Sequence, residues 1–415
     1  MAKLPKQGIP GSDLRDLMRE ATTEDLPWKE RLASGVSYPA GDDVLQVAQE
    51  AYIDFFSANA LYPTIFPSLA RFEHEVVEMA ADLLHGEHAV GSIASGGTES
   101  NLLAVKSARD RARALRPEVT APEMVIPASA HPSFWKAAGY FGLEVVVTPL
   151  TEDGIVDVSA YLAAVNDNTV LMVGTAPSTI LGMVDPIPDM AAVAEERNIS
   201  FHVDACVGGF FLPFTEKLGT PVTPWDFRVP GVTTISADLH KFGYTAKGAS
   251  VILSRDEDIY QHQVFEFGPP LRPSRYYETP TIAGTRPGGA IAAAWAVLNY
   301  LGEDGYLRLV DQTLRYIRRF QDRINAVEGL VVLGEPVMSV FAYTSNTLDI
   351  YAVATGMEDR GWMVSKDSYP FKAIRFMQSP GHEPYVDAYL RDLEDVVELV
   401  ASGAIAARGP EATYT

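Results

Sequence analysis

The chain has 415 residues, 47% of them hydrophobic, and 33 basic against 54 acidic residues give a formal charge of −21. That length supports about two or three structural units with a large buried core, and the composition excludes extensive disorder. The charge excludes a nucleic-acid backbone or an anionic membrane as the natural partner. The single cysteine, Cys206, excludes an intrachain disulfide and a cysteine-held zinc, and it fits a reducing compartment, read here as the cytoplasm.

Taken in chain order, the first residues have no apolar segment of signal-peptide type, and no run approaches the ~20 apolar residues of a membrane helix. Residues 1–57 read as an N-terminal arm, polar and broken by Gly35, Pro39 and Gly41, that runs into a helix over Asp42 to Ser57. From Pro67 to His85, Leu69, Phe72, Val76, Met79 and Leu83 recur at helical spacing, and Gly86 ends the pattern. Between Gly91 and Leu253, short apolar runs alternate with amphipathic segments. The runs are 124–127, 144–148, 170–174, 200–204, 233–237 and 249–253; the segments are 99–115, 132–142, 158–165 and 188–197. Apolar runs without alternation indicate strands buried on both faces, hence a mainly parallel sheet covered by helices. Helices over 289–301 and 306–327, strands at 330–333 and 337–343, and a helix over 385–401 then read as a smaller α+β unit. The division is an arm at 1–57, a large domain at 58–298 and a small C-terminal domain at 299–415.

Five segments carry candidate chemistry. In GSIASGGTESN, Gly97 and Thr98 stand between a strand and a helix. Such a glycine turn either simply joins the two or offers backbone N–H groups to a phosphate. Asp204 ends the run SFHVD, where a carboxylate either caps the next turn or pairs with a protonated pyridine nitrogen. Lys241, in SADLHKFGY, follows another strand. It either snorkels to water or, desolvated, keeps the neutral amine that a Schiff base requires. His240 beside it could bond a phosphate or pack, and Lys247 is a second cation at the same mouth. His131, in ASAHPSFW, could cap a helix or stack on a flat ring. The loop PTIAGTRPGG, with Thr285, could be a plain connection or a donor to a phosphate. No metal-ligand pattern accompanies them. Glycine turn, His, Asp and Lys follow one another, each at the expected carboxyl end of a strand, which is the layout of a pyridoxal 5′-phosphate (PLP) site.

These segments, SGGTES, SAHPSFWKAAGYFG, HVDACVGGF, DFRVPGVTTISADLHKFGYTAKG and PTIAGTRPGG, resemble the sphingosine-1-phosphate lyase branch of the group II PLP-dependent decarboxylase-like enzymes from about Ser34 to about Val400. The resemblance implies a type I aminotransferase fold, with a large domain on a mainly parallel seven-stranded sheet and a small C-terminal α+β domain. It also implies a homodimer whose active sites lie at the interface. Gly97, Thr98 and His240 would bind the PLP phosphate, with Thr285 reaching in from the neighbouring subunit. His131 would stack on the ring, Asp204 pair with its nitrogen and Lys241 form the Schiff base. Tyr38 and Lys247 match substrate-phosphate positions, and Asn59 matches a pocket position. Three places depart from the family. Tyr62 stands where the lyases carry a His, Thr179 stands where they tend to carry a Tyr, and the segment 267–278, with Arg272 and Arg275, is longer. The implied reaction is carbon–carbon cleavage of a phosphorylated amino alcohol to an aldehyde and phosphoethanolamine. A decarboxylase, an aldolase on an unphosphorylated β-hydroxy amino acid and a PLP-binding protein without turnover are the alternatives.

Overall fold

The apolar runs between residues 90 and 254 fold into one sheet because they are apolar toward both sides. In the computed structural model, which describes residues 3–26, 28, 34–268 and 277–408, the strands are β1 (Val90–Ala94), β2 (Glu123–Pro127), β3 (Glu144–Thr148), β4 (Thr169–Thr175), β5 (Ser200–Asp204), β6 (Thr234–Ala237) and β7 (Ser250–Ser254). Their order is β1-β7-β6-β5-β4-β2-β3, and β7 alone runs against the rest. This is the mainly parallel seven-stranded sheet expected. Side chains alternate between two cores. Met124, Ile126, Leu171 and Val173 face one side, with Leu102, Val105 and Phe134. Val125, Met172, Phe201 and Ile235 face the other, with Met190 and Ala194. Burial of a side chain such as Phe201, wholly out of solvent, stabilises by about 1.5–3 kcal/mol.

The covering helices are α1 (Gly11–Ala21), α2 (Asp42–Asp54), α3 (Pro67–Leu83), α4 (Gly97–Leu115), α5 (Ser133–Phe141), α6 (Val158–Ala163), α7 (Ile187–Glu196), α8 (Leu212–Lys217) and the single turn α9 (Glu257–Tyr260). No helix was expected in the arm ahead of residue 42; α1 forms there and buries none of its residues. Helix α4 starts two residues earlier than its apolar pattern, because Gly96, at φ 157, supplies the non-helical entry and Gly97 and Thr98 complete the first turn. A short hairpin, β8 (Phe265–Phe267) with β9 (Tyr277–Thr279), follows; Arg272 and Arg275 lie outside the described residues.

The two helices expected over 289–301 and 306–327 are present within Gly288–Ala326, labelled α10 together, and meet at a kink where Gly302 leaves the helical conformation (φ 55, ψ −174). Leu309, Val310 and Leu314 of this run belong to the first core, whereas Tyr316, Ile317 and Phe320 belong to a second. The second core lies against the sheet β10 (Leu330–Leu333), β11 (Val340–Ser345), β12 (Ser365–Asp367) and β13 (Ala373–Met377), in the antiparallel order β10-β11-β13-β12. Helices α11 (Ile350–Asp359) and α12 (Val386–Ala401) complete it. The sequence reading assigned no element between 344 and 384, where α11, β12 and β13 form.

The turn before α12 holds His382, almost fully buried, whose Nδ1 accepts the Ser379 N–H at 3.0 Å. A ring nitrogen that accepts is unprotonated, and burial pushes this His down to about 4. Between pH 6.5 and 4 the unfolded chain therefore takes up a proton that the folded one refuses, so stability falls on acidification by about 1.4 kcal/mol per pH unit for this group. Buried His202, also pushed to about 4, acts in the same window. Urea unfolding from pH 7 to 4.5 should show this loss, and His382→Gln should lessen its slope. An unchanged slope would assign the proton uptake to other groups.

Candidate active site

Because β1, β2, β4, β5 and β6 point the same way, their carboxyl ends meet on one edge of the sheet, where ligands of open α/β sheets bind. A cavity of about 330 Å³ opens there, lined by Gly96, Gly97 and Thr98 after β1, Ser129 and His131 after β2, Thr175, Pro177 and Thr179 at β4, Asp204 and Cys206 at β5, and Asp238, His240 and Lys241 after β6. Six of the sequence candidates are thus gathered round one space.

Lys241 meets a carboxylate that was not singled out. Its Nζ lies 2.9 Å from Asp238 Oδ2, and the Asp238 side chain is 1% exposed. The sequence reading took desolvation to favour the neutral amine. Burial does work against the ammonium, but the Asp238 charge outweighs it, and the proton affinity of Lys241 is raised above that of an ordinary lysine. The expectation of a neutral amine is therefore corrected: before it forms any covalent bond, Lys241 is an ion-paired ammonium. His240 Nε2 stands 3.6 Å from the same Asp238 oxygen, and burial lowers the ring's proton affinity against that charge.

Asp204 is the opposite case. Its burial would favour the neutral acid, yet its proton affinity is lowered, by His131 first and then by the Cys206 side chain; the Cys206 backbone N–H also donates to Oδ1 at 3.1 Å. Asn101 Nδ2 donates to Oδ2 at 2.9 Å. A buried carboxylate with donors on both oxygens stays ionised. Asn101, on α4, is the second residue that sequence reasoning passed over. The signals were present: Asp238 sits three residues before Lys241 inside the same motif, and Asn101 closes the glycine motif on a helical face that is otherwise apolar.

The remaining candidates fall in two places. Tyr38 and Lys247 stand together beside the cavity, with Lys247 Nζ 4.8 Å from the centre of the Tyr38 ring and 3.2 Å from the His240 carbonyl. Burial pushes the Tyr38 hydroxyl up to about 12, against the pull of Lys241. The small sheet holds this segment of the arm: Met377 N donates to Ser34 Oγ at 2.6 Å, Gly35 N donates to the Met377 carbonyl at 3.1 Å, and Met377 Sδ lies 2.8 Å from the Tyr38 hydroxyl. Asn59, Tyr62 and Thr285 do not line the cavity. Asn59 Nδ2 is 3.4 Å from Thr285 Oγ1, and Tyr62 is half exposed beside Asn59, to whose carbonyl its N–H donates.

The walls fit PLP. Asp238 Oδ1, His240 Nδ1 and Ser129 Oγ are buried there without a hydrogen-bond partner among the described residues, so the space calls for a polar occupant. The first turn of α4 has no side-chain cap, which leaves its N–H groups free for an anion. A Cβ on Gly97 would come within 2.6 Å of Cys206 Sγ and 2.8 Å of Asp238, so only glycine keeps the cradle open. A lysine, a buried carboxylate, an imidazole and an uncapped helix on one sheet edge are what a PLP-dependent enzyme of the type I fold requires.

The model of the pyridoxal-dependent decarboxylase conserved domain matches residues 28–345. The chain is 38% identical to sphingosine-1-phosphate lyase 1 of Rattus norvegicus, over 99% of its own length and 72% of that protein's. It is 34% identical to the L-aspartate/L-glutamate decarboxylase of Pyrococcus horikoshii, over 95% of its length and all of that protein. A solved sphingosine-1-phosphate lyase of Burkholderia pseudomallei superposes with a TM-score of 0.91 at 37% identity, covering 97% of this chain and 94% of that one. The chain belongs to the pyridoxal-dependent decarboxylase family, in its sphingosine-1-phosphate lyase branch. Its cofactor is PLP. No helix among the described residues is long and apolar enough to cross a membrane.

Proposed function

We propose that the enzyme cleaves the carbon–carbon bond between the amine-bearing and hydroxyl-bearing carbons of a phosphorylated amino alcohol such as sphingosine 1-phosphate, releasing a fatty aldehyde and phosphoethanolamine. PLP, when bound, supplies an electron sink for the pair that the broken bond leaves behind. Gly97, Thr98 and His240 would hold its phosphate, His131 lie against its ring, Asp204 keep the ring nitrogen protonated, and Lys241 hold its aldehyde carbon. Lys241, once the substrate amine had taken its place, would stand as a free amine near the amine-bearing carbon, with Asp238 beside it to stabilise its charged form, and would act as the proton shuttle of the reaction. The proton that the substrate hydroxyl loses as the aldehyde forms would pass to the Lys241 amine and from there to the amine-bearing carbon, so the exchange balances.

The observation that carries the phosphorylated substrate is Lys247. It makes no ion pair with a carboxylate among the described residues, while burial and then Lys241 lower its proton affinity. A cation so placed gains most from a dianion at the mouth. Lys247→Ala should raise KM by about ten-fold or more for phosphorylated amines and little for neutral ones, as steady-state kinetics would read; equal effects would argue against a phosphate pocket. A product assay decides the reaction: aldehyde with phosphoethanolamine supports it, whereas carbon dioxide with an intact amine supports an amino-acid decarboxylase. That second reading is favoured by the full-length similarity to the Pyrococcus horikoshii enzyme and by Tyr62 standing in place of a His.

The working unit in this reading is a homodimer. Asn59, Tyr62 and Thr285 would face the partner's cavity, and exposed Phe56, Ile65 and Ile282 around them would be covered by the same contact. The proposed location is the cytoplasm, in keeping with one cysteine, buried, its thiol made less acidic by burial.

A further inference from the structure

Asp204 and His131 are joined by a buried chain of hydrogen bonds whose direction chemistry fixes. An ionised carboxylate can only accept, so the Asn101 amide must turn its NH2 to Asp204 Oδ2, at 2.9 Å. The same Nδ2 lies 2.9 Å from Ser133 Oγ, which therefore accepts. The Ser133 hydroxyl proton is then free for its other neighbour, His131 Nδ1, at 2.8 Å. The Ser133 backbone N–H also donates to that nitrogen, at 3.1 Å. On its far side, Asn101 Oδ1 accepts from Ser236 Oγ at 2.9 Å and lies 3.1 Å from His202 Nε2, so both ends of the amide are held. Asn101, Ser133, Ser236 and His202 are each no more than 3% exposed, so the relay is shielded from bulk water.

A ring nitrogen that receives two donors carries no proton of its own. We propose that Asn101 and Ser133 are positioning residues that hold His131 as the neutral tautomer with its proton on Nε2, with Asp204 setting the direction of the whole relay. His131 lines the cavity, and with Nδ1 bound to Ser133 the atom it offers there is a hydrogen-bond donor. The ring that lies against the cofactor and the carboxylate opposite the ring nitrogen are thereby parts of one rigid unit. Other charges bear on the ring too. Burial lowers its proton affinity, Asp204 of β5 works against that, Lys241 adds to it, and Asp238 opposes it. The consequence for turnover rests on the functional reading above; the tautomer does not.

The test uses holoenzyme labelled with ¹⁵N-histidine and magic-angle-spinning NMR, with the His131 signal assigned by its loss in His131→Gln. The expected wild-type state at neutral pH is Nε2 protonated and Nδ1 bare, with a titration midpoint below that of an ordinary histidine. Ser133→Ala removes a donor that favours the neutral ring, so the titration midpoint of His131 should rise by about one unit. Asn101→Ala should raise it similarly, and the double variant no further than Ser133→Ala alone, because the influence of Asn101 passes through Ser133. Both single variants should lose about ten-fold in kcat with KM unchanged. A wild-type His131 protonated on Nδ1, an unmoved midpoint in Ser133→Ala, or additive shifts in the double variant would each overturn the proposal. If Asn101→Ala does not fold, the wild-type tautomer and Ser133→Ala still decide it. Failure of borohydride to fix the cofactor on Lys241 would sink the functional reading and leave the tautomer result standing.

Discussion

Lys241→Ala is expected to lose all cofactor fixed by borohydride and at least about 10⁴-fold in turnover. Wild-type protein treated with borohydride should yield a single modified peptide containing Lys241, and the variant none. A variant that still gave the covalent adduct would rule out Lys241 as the cofactor's lysine. The substitution also leaves Asp238 buried without its cation. Removing one partner from a buried pair costs about 3–5 kcal/mol, and Lys241, 22% exposed, sits at the low end of that range. The variant should therefore melt lower, and Lys241→Arg, which keeps the charge but cannot form the linkage, should recover part of the stability and none of the activity. That split separates the structural part of this lysine from its chemistry.

Asp204→Asn is expected to lower kcat by about 10³-fold while borohydride still fixes the cofactor to Lys241. An amide cannot hold a proton on the ring nitrogen, so the electron sink weakens, but nothing in the covalent linkage depends on Asp204. Stability should also change. Both Asp204 oxygens accept hydrogen bonds, from Cys206 N–H and Asn101 Nδ2, and an asparagine can satisfy one of the two. One donor is left facing another, at a cost of about 1–3 kcal/mol, readable in thermal melts. Unchanged kcat would remove Asp204 from the ring nitrogen.

Much of this arrangement was legible in the sequence. The run at 124–127 is apolar throughout and those at 200–204 and 233–237 carry no Asp, Glu, Lys or Arg before Asp204, as strands covered on both sides require, and they put His131, Asp204 and Lys241 at ends that the topology then brings together. What escaped was of two kinds. Asp238 and Asn101 take their significance from which atoms they face, and one acid near a strand end looks like any other until the neighbour three residues on is seen to fold back on it. That omission is why the charge state of Lys241 was misjudged: burial can be read from apolar flanks, whereas a counter-ion cannot. The second kind is Thr285 with Asn59 and Tyr62. The motif PTIAGTRPGG was recognisable, but its distance from the Lys241 cavity within one chain is a matter of tertiary placement that spacing does not encode.

The helix α10 gives the molecule a property that belongs to no single residue. Because the single helix that follows the Gly302 kink contributes Leu309 and Leu314 to one core and Phe320 and Ile324 to the other, neither core can open without stripping a wall from its neighbour. The protein should unfold cooperatively, in one transition. A cut at 298/299 would release a C-terminal fragment with the packing face of residues 306–314 bared to water, prone to associate rather than to fold on its own.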